Sequence, residues 1–152
     1  MNNAQSGILE STPPVARYLI FSLTDHGDAR RSLRALRDMA DGRQTVVGLG
    51  QSLVRALGAT VPGLRTFPSY AGAGCDVPST PFALWCWLRG DDRGELLHRA
   101  RRINHALAPS FRLEHVIDAF TYGTGRDLTG YEDGTENPKE ERALEVAIIR
   151  GQ

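Results

Sequence analysis

The stretch from Gly123 to Pro138, GTGRDLTGYEDGTENP, gathers the residues best suited to chemistry. Four carboxylates, Asp127, Glu132, Asp133 and Glu136, are interleaved with Gly123, Gly125, Gly130 and Gly134. Closely spaced glycines permit positive φ and let the backbone approach a ligand. A carboxylate between Gly130 and Gly134 is presented by a tight turn, the kind of loop that carries function disproportionately. Composition alone reads the stretch more plainly, as an acidic turn that ends a domain. Other motifs do not fit. A phosphatase-type Asp-x-Asp-Gly-Thr needs a first Asp after an apolar strand, but the sequence reads Tyr131-Glu132-Asp133-Gly134-Thr135 with Thr129-Gly130 before it, so both are missing. An EF-hand counted from Asp127 would put Tyr131 at a ligand position and Pro138 at the closing one. No P-loop or dinucleotide fingerprint is present. His98 and His105 are seven residues apart without an acidic or Cys partner nearby, so they read as surface or boundary residues. His115 reads as a packed or partly exposed strand residue. Cys75 and Cys86 have neither disulfide-framework nor metal-site spacing.

The elements that must hold this loop follow from periodicity. Residues 1–14 end in Pro13-Pro14 and read as an extended arm. Tyr18 to Leu23 is a buried strand. Asp25 and Asp28 offer N-caps for a helix whose apolar face is Ala29, Leu33, Leu36 and Ala40, ended by Gly42. Its arginines lie off that face and read as a solvated surface. Thr45 to Leu49 is a second strand, and Ser52 caps a short helix through Leu57. Gly58 to Pro81 has little periodicity, and a connection this long is functional or disordered. Phe82 to Leu88 reads as a strand buried on both faces. Asp91 and Asp92 cap a second helix with Leu96, Ala100, Ile103 and Leu107 on one face, closed by Pro109. Arg112 to Tyr122 is a fourth strand, with Leu113, His115, Ile117 and Ala119 on one face and Val116, Phe120 and Tyr122 on the other. The order predicts an α+β, ferredoxin-like βαββαβ fold: an antiparallel sheet with both helices on one face. The other face then needs a partner chain, a second domain or a ligand. Arg142 to Ile149 reads as an apolar, strand-like end without a partner sheet.

With 152 residues and 16.7 kDa, one domain fits. Lys+Arg and Asp+Glu are both 18, which argues against a nucleic-acid or anionic-membrane partner for the whole surface. Every basic residue but Lys139 is arginine, which base composition of the source genome explains more simply than a polyanion partner. Hydrophobic residues at 41% and charged residues at 24% give a globular balance. The longest apolar run is too short to span a membrane, and no secretory pattern follows Met1. The reading is a soluble, cytoplasmic protein.

One family shares the loop string. Gly130-Tyr131-Glu132-Asp133-Gly134 resembles the GxxDG motif of dye-decolourising (DyP-type) haem peroxidases. Thr135-Glu136-Asn137-Pro138 and Arg126-Asp127-Leu128 extend the resemblance to bacterial cytosolic members. Gln5-Ser6-Gly7-Ile8-Leu9, Phe67-Pro68 and Pro78-Ser79-Thr80 also look like the family, so the resemblance covers the whole chain. Pro81-Phe82-Ala83 departs from it, where relatives often have Gln-x-Asp. The resemblance implies the N-terminal half of such an enzyme. It implies haem b as cofactor, hydrogen peroxide as substrate and a dye or phenol as reductant. Asp133 would be the distal acid–base residue, and Gly134, Thr135, Glu136 and Asn137 would lie against the haem. The family's proximal His and distal Arg belong to its second half, so none of the four histidines is proposed as a metal ligand. The chain alone is expected to bind haem weakly or not at all.

The domain division expected is an arm over 1–14, a ferredoxin-like domain over 15–138 ending in the GxxDG loop, and a lead-in over 139–152 to a missing second domain. The chain is expected to be a truncated or split form, inactive without a complementary C-terminal chain, and a homo-oligomer. Two competing readings drop catalysis: a non-enzymatic ferredoxin-like dimerisation module, and a haem or small-ligand carrier.

Overall fold

The computed structural model describes residues 4–132 and 134–148. After a short 3-10 turn at Ser6–Ile8, strand β1 spans Val15–Leu23 and helix α1 spans Ala29–Arg37. Strand β2 (Thr45–Leu49) and helix α2 (Gln51–Ala56) follow, then a small hairpin of β3 (Tyr70–Gly72) and β4 (Cys75–Val77). Strand β5 (Leu84–Gly90), helix α3 (Arg93–Leu107), strand β6 (Phe111–Phe120) and helix α4 (Glu140–Ala147) complete the order. The main sheet runs β2-β5-β1-β6 with every neighbouring pair antiparallel. Each crossover helix joins two strands that have a third strand between them. This is the split βαβ arrangement, and it bears out the expected fold class.

The core lies between the sheet and the layer of α1 and α3. β1 contributes Leu19 and Phe21, β5 contributes Leu84, Cys86 and Leu88, and α3 contributes Leu96, Ala100, Ile103 and Leu107. All four α3 residues are those of the expected stripe. Asp28 and Asp92 cap α1 and α3 by accepting the backbone N–H of Arg31 and Glu95 at 3.2 and 2.8 Å. Asp25 and Asp91 do not serve. α1 stops at Arg37, well before Gly42, so Ala40 is outside it. α2 starts from Gly50 and not from a Ser52 cap.

Two segments differ more. The 58–81 connection contains the β3–β4 hairpin, every residue of which is exposed. No buried face was there to impose alternation. The 142–149 segment was expected to be strand-like, and α4 occupies it through Ala147 instead. Glu140 and Glu141 in its first turn suit a helix N-terminus.

A bulge corrects the faces of β6. Ile20 pairs with His115 but Phe21 pairs with Leu113, which leaves Glu114 as the extra residue. Leu113 therefore joins the helix side with Phe111, while His115, Ile117 and Ala119 lie on the open side. Val116 and Phe120 oppose Leu19 and Val15 on the helix side, yet 45% and 68% of their surface stays exposed.

The open face of the sheet is aromatic. Tyr18 stacks on Trp85 and Trp87 with ring centroids 5.7 and 6.1 Å apart. The Arg89 guanidinium sits 4.6 Å from the Trp87 ring centre. The arm crosses this end of the face. Arg89 donates to the carbonyls of Gly7 and Ser11. A Cβ on Gly7 would lie 2.5 Å from the Arg43 carbonyl oxygen and 2.7 Å from Val46 Cγ2. Only glycine allows so close an approach. The Gln5 amide pairs with Val47 like a strand residue, donating to its carbonyl at 2.7 Å and accepting its N–H at 2.8 Å. The arm is thus bound to the domain.

Candidate functional site

The loop that carries the carboxylates starts where the arm meets β6. The Thr121 N–H donates to Pro14 O at 2.9 Å, and its hydroxyl donates to Pro13 O at 2.8 Å. The chain then doubles back. The N–H groups of Gly125 and Arg126 donate to Tyr122 O at 3.0 and 3.1 Å. Arg126 forms isolated β-bridges to both Tyr122 and Glu132. Its guanidinium donates to Gly130 O at 2.8 Å and lies 3.6 Å from the Glu132 carboxylate.

Asp127 holds the turn from inside. One of its carboxylate oxygens accepts the Thr129 hydroxyl at 2.6 Å, the Thr129 N–H at 2.8 Å and the Tyr131 N–H at 3.2 Å. The Thr129 hydroxyl, with backbone N–H groups, holds its carboxyl below the usual range. Such a carboxylate is a structural acceptor and a poor proton acceptor at neutral pH. Of the carboxylates in the loop, Asp127 and Glu132 are therefore already engaged.

Asp133, the expected acid–base residue, lies outside the described residues. The residues after it form a turn, with the Asn137 N–H donating to Gly134 O at 3.0 Å. Gly134 has φ +72, and a Cβ there would lie 2.7 Å from the Asn137 side-chain nitrogen. The left-handed φ favours glycine at this position, while the Asn137 side chain could swing aside.

Gly134 and Asn137 line a cleft of about 290 Å³ with Thr12, Phe120, Thr121, Tyr122, Gly125, Arg126 and Asp127. Thr135 and Glu136, the other expected cofactor contacts, are exposed and are not among its lining residues. Thr12 comes from the arm, held there by the hydrogen bonds of Pro13 and Pro14 to Thr121 and of Ser11 to Arg89. Nothing local in the sequence marks it. Arg126 did carry a signal, as part of the RDL string.

None of the four histidines lines this cleft. His98 and His105 are exposed on α3. His115 lies on the open sheet face, edge-on to Phe82 with ring centroids 5.4 Å apart. His26 is exposed between β1 and α1. Among the described residues no group of three or more His, Cys, Asp or Glu side chains could hold a metal ion. Burial pushes the Cys86 thiol up to about 12, so it is an inert core residue. Cys75 is exposed on the hairpin.

The cleft residues can be tested against haem, a flat apolar ring with two carboxylates. Phe120 and Tyr122, 68% and 53% exposed, offer an apolar wall. Arg126 and Asn137 offer polar contacts at its edge. The described residues thus suit one wall of a haem site. They supply no axial histidine to that wall, and axial ligation is a main determinant of haem binding.

The fold is that of a ferredoxin-like α+β domain, with a cleft beside its carboxylate loop. No family model matches the chain. It is 27% identical over 157 residues to the dye-decolourising peroxidase of Mycolicibacterium paratuberculosis, covering 93% of this chain and 44% of that protein. Its fold matches a DyP-type peroxidase protein of Shewanella oneidensis with a TM-score of 0.80 and 24% identity, over 95% of this chain and 52% of that one. It also matches a variant of Rhodococcus jostii RHA1 DypB in complex with haem, with a TM-score of 0.76 and 24% identity, over 90% and 49%. These two structural likenesses speak for the fold. The sequence match carries the relationship: the chain is a homologue of the dye-decolourising peroxidases. It spans about half the length of the relatives it matches, consistent with their N-terminal half. No helix among the described residues is long and apolar enough to cross a membrane.

Proposed function

We propose that this chain forms the distal-side, N-terminal half of a haem-dependent peroxidase that reduces hydrogen peroxide and oxidises dyes or phenolic donors. The observation that carries the reading is the RDLTGYEDGTENP string on a fold shared with dye-decolourising peroxidases. Bound haem would supply the iron at which peroxide is reduced and would relay the two oxidising equivalents of the peroxide to the donor.

The chain's own residues then do the following. The Asp133 carboxylate takes the proton from one peroxide oxygen and returns it to the leaving oxygen. That role needs an ionised carboxylate, so the site works from acidic to neutral pH. Asp127 and Arg126 fix the turn that precedes it in the sequence. The turn Gly134–Asn137, with Thr135 and Glu136 at its tip, lies against the cofactor edge. Phe120 and Tyr122 exclude water from that side. The axial ligand and the remaining wall come from a complementary C-terminal segment, in the same polypeptide or a second one. A homo-oligomer and a cytoplasmic location complete the proposal.

The test combines haem titration with peroxide-dependent dye oxidation. The chain is mixed with the C-terminal half of the Mycolicibacterium paratuberculosis relative. Turnover is expected only in the mixture, and Asp133→Ala is expected to lower it about 10²–10⁴-fold, the range of general acid–base catalysis. Unchanged turnover in Asp133→Ala refutes the role of Asp133. Tight haem binding by this chain alone, with a histidine-ligated spectrum lost on replacing one of its histidines, refutes the assignment of the axial ligand to the other half.

A further inference from the structure

The net charge of zero hides a strong separation. Within their ranges, α1 and α3 carry eight arginines, two histidines and one acid, Glu95. The two helices pack against each other on one side of the sheet. Arg30, Arg31, Arg34, Arg37, Arg101 and Arg102 are all exposed. Arg37 has Asp38 at 3.8 Å. Among the described residues, Arg31, Arg34, Arg101 and Arg102 have no carboxylate at ion-pair distance. Arg102 borders two hollows. One, of about 530 Å³, also has Arg37, Gln44 and Arg99. The other, of about 600 Å³, also has His98, Arg101 and His105. Two carboxylates line the first hollow: Asp38 lies 3.8 Å from Arg37, and Asp41 accepts the N–H groups of Arg43, Gln44 and Thr45 at 3.0, 2.8 and 2.8 Å.

The opposite charge lies near the C-terminal end. Residues 127–145 carry seven acidic side chains against Lys139 and Arg142. α4 bears Glu140, Glu141 and Glu145 and has no buried residue. Glu141 and Glu145 are four residues apart and share a helix face. Arg30 and Arg34 have the same spacing on α1. Val146 on α4 is 71% exposed and Leu97 on α3 is 44% exposed, so each side also offers an apolar anchor.

We propose that the basic α1–α3 face is an interaction surface for the acidic C-terminal segment of a second copy of this chain, with α4 lying across the arginines. The arginine fork suits carboxylates bidentately. A nucleic acid suits the face less well. Neither helix carries a Phe, Tyr or Trp on which a base could stack, and the acidic segment of the same molecule repels a polyanion. The contact is heterologous, basic face to acidic segment, so it extends into rings or chains unless one end is blocked. It does not depend on haem.

Two exposed double variants test it by sedimentation velocity at low and high salt. One is Arg101→Glu/Arg102→Glu and the other is Glu141→Arg/Glu145→Arg, each checked for folding by circular dichroism. The wild type is expected to associate at low salt and to dissociate near 1 M salt, where screening acts over roughly 3 Å. Each variant alone is expected to be monomeric. An equimolar mixture is expected to give a dimer that grows no further, because only one good basic face and one good acidic segment remain. A monomeric wild type at low salt, salt-insensitive association, or a mixture that stays monomeric overturns the proposal. So does a wild type that binds a single-stranded oligonucleotide through Arg101 and Arg102 without self-associating.

Discussion

The βαββαβ body and the loop-and-helix segment that follows it are held by different forces. In the body, long-range packing does the work: Phe21 from β1, Leu88 from β5 and Ile103 from α3 share one buried cluster. After Thr121, hydrogen bonds span only a few residues, and Gly134, Ala143, Leu144 and Ile148 are at most half-buried. The chemistry-bearing residues therefore sit on local scaffolding beside a self-sufficient core. Such a loop keeps its shape through Asp127 and its glycines.

Substitutions can break or sharpen the contrast. Phe21→Ala empties the body's core and is expected to cost about 3–5 kcal/mol in urea unfolding. Gly7→Ala drives a methyl into Arg43 O, Val46 and Arg89 Nη1. It is expected to cost about 1–3 kcal/mol and to expose residues 5–14 to proteolysis. Arg17 and Asp118 form a bidentate cross-strand pair at 2.8 and 2.9 Å. Arg17→Ala is expected to cost about 0.5–1 kcal/mol at low salt and less at high salt.

Asp127→Ala is the sharpest test, because it should leave the unfolding midpoint unchanged while amide exchange at Thr129 and Tyr131 accelerates. The pH dependence follows from the direction of the shift. The folded pKa of Asp127 is depressed, so its contribution is present above the unfolded carboxylate value, near 3.9. It is lost as pH falls through the lower folded value. Loop protection should therefore persist through neutral and mildly acidic pH. A fall in global stability in Asp127→Ala would show that the loop and the body are one cooperative unit.

How much was legible in the sequence follows the same division. The α3 stripe of Leu96, Ala100, Ile103 and Leu107 could be read because one periodic face meets one core. Thr45 to Leu49 could be read because Gly50 ends it sharply. The bulge at Glu114 could not, since an extra residue inside a strand leaves alternation intact on both sides of it. Arg142 to Ile149 misled because a short apolar run fits a strand or a helix equally well. In the candidate site, the glycine–carboxylate string marked the loop that borders the cleft. It did not show that Asp127 is spent on the turn, nor that Thr12 lies across the cleft. Both depend on how the backbone folds back on itself.

The pairing of Gln5 with Val47 has a consequence for the sheet as a whole. On the free side of β2, the N–H of Thr45 goes to Asp41 and its carbonyl accepts from Gly42. Both groups of Val47 go to Gln5. The outer rim of β2 is thus sealed over these two residues by side chains and a turn, which denies a template to stray strands. β6 has no such seal among the described residues. The sheet is consequently one-sided: a strand added to extend it has to enter beside β6, the same rim from which the carboxylate loop departs.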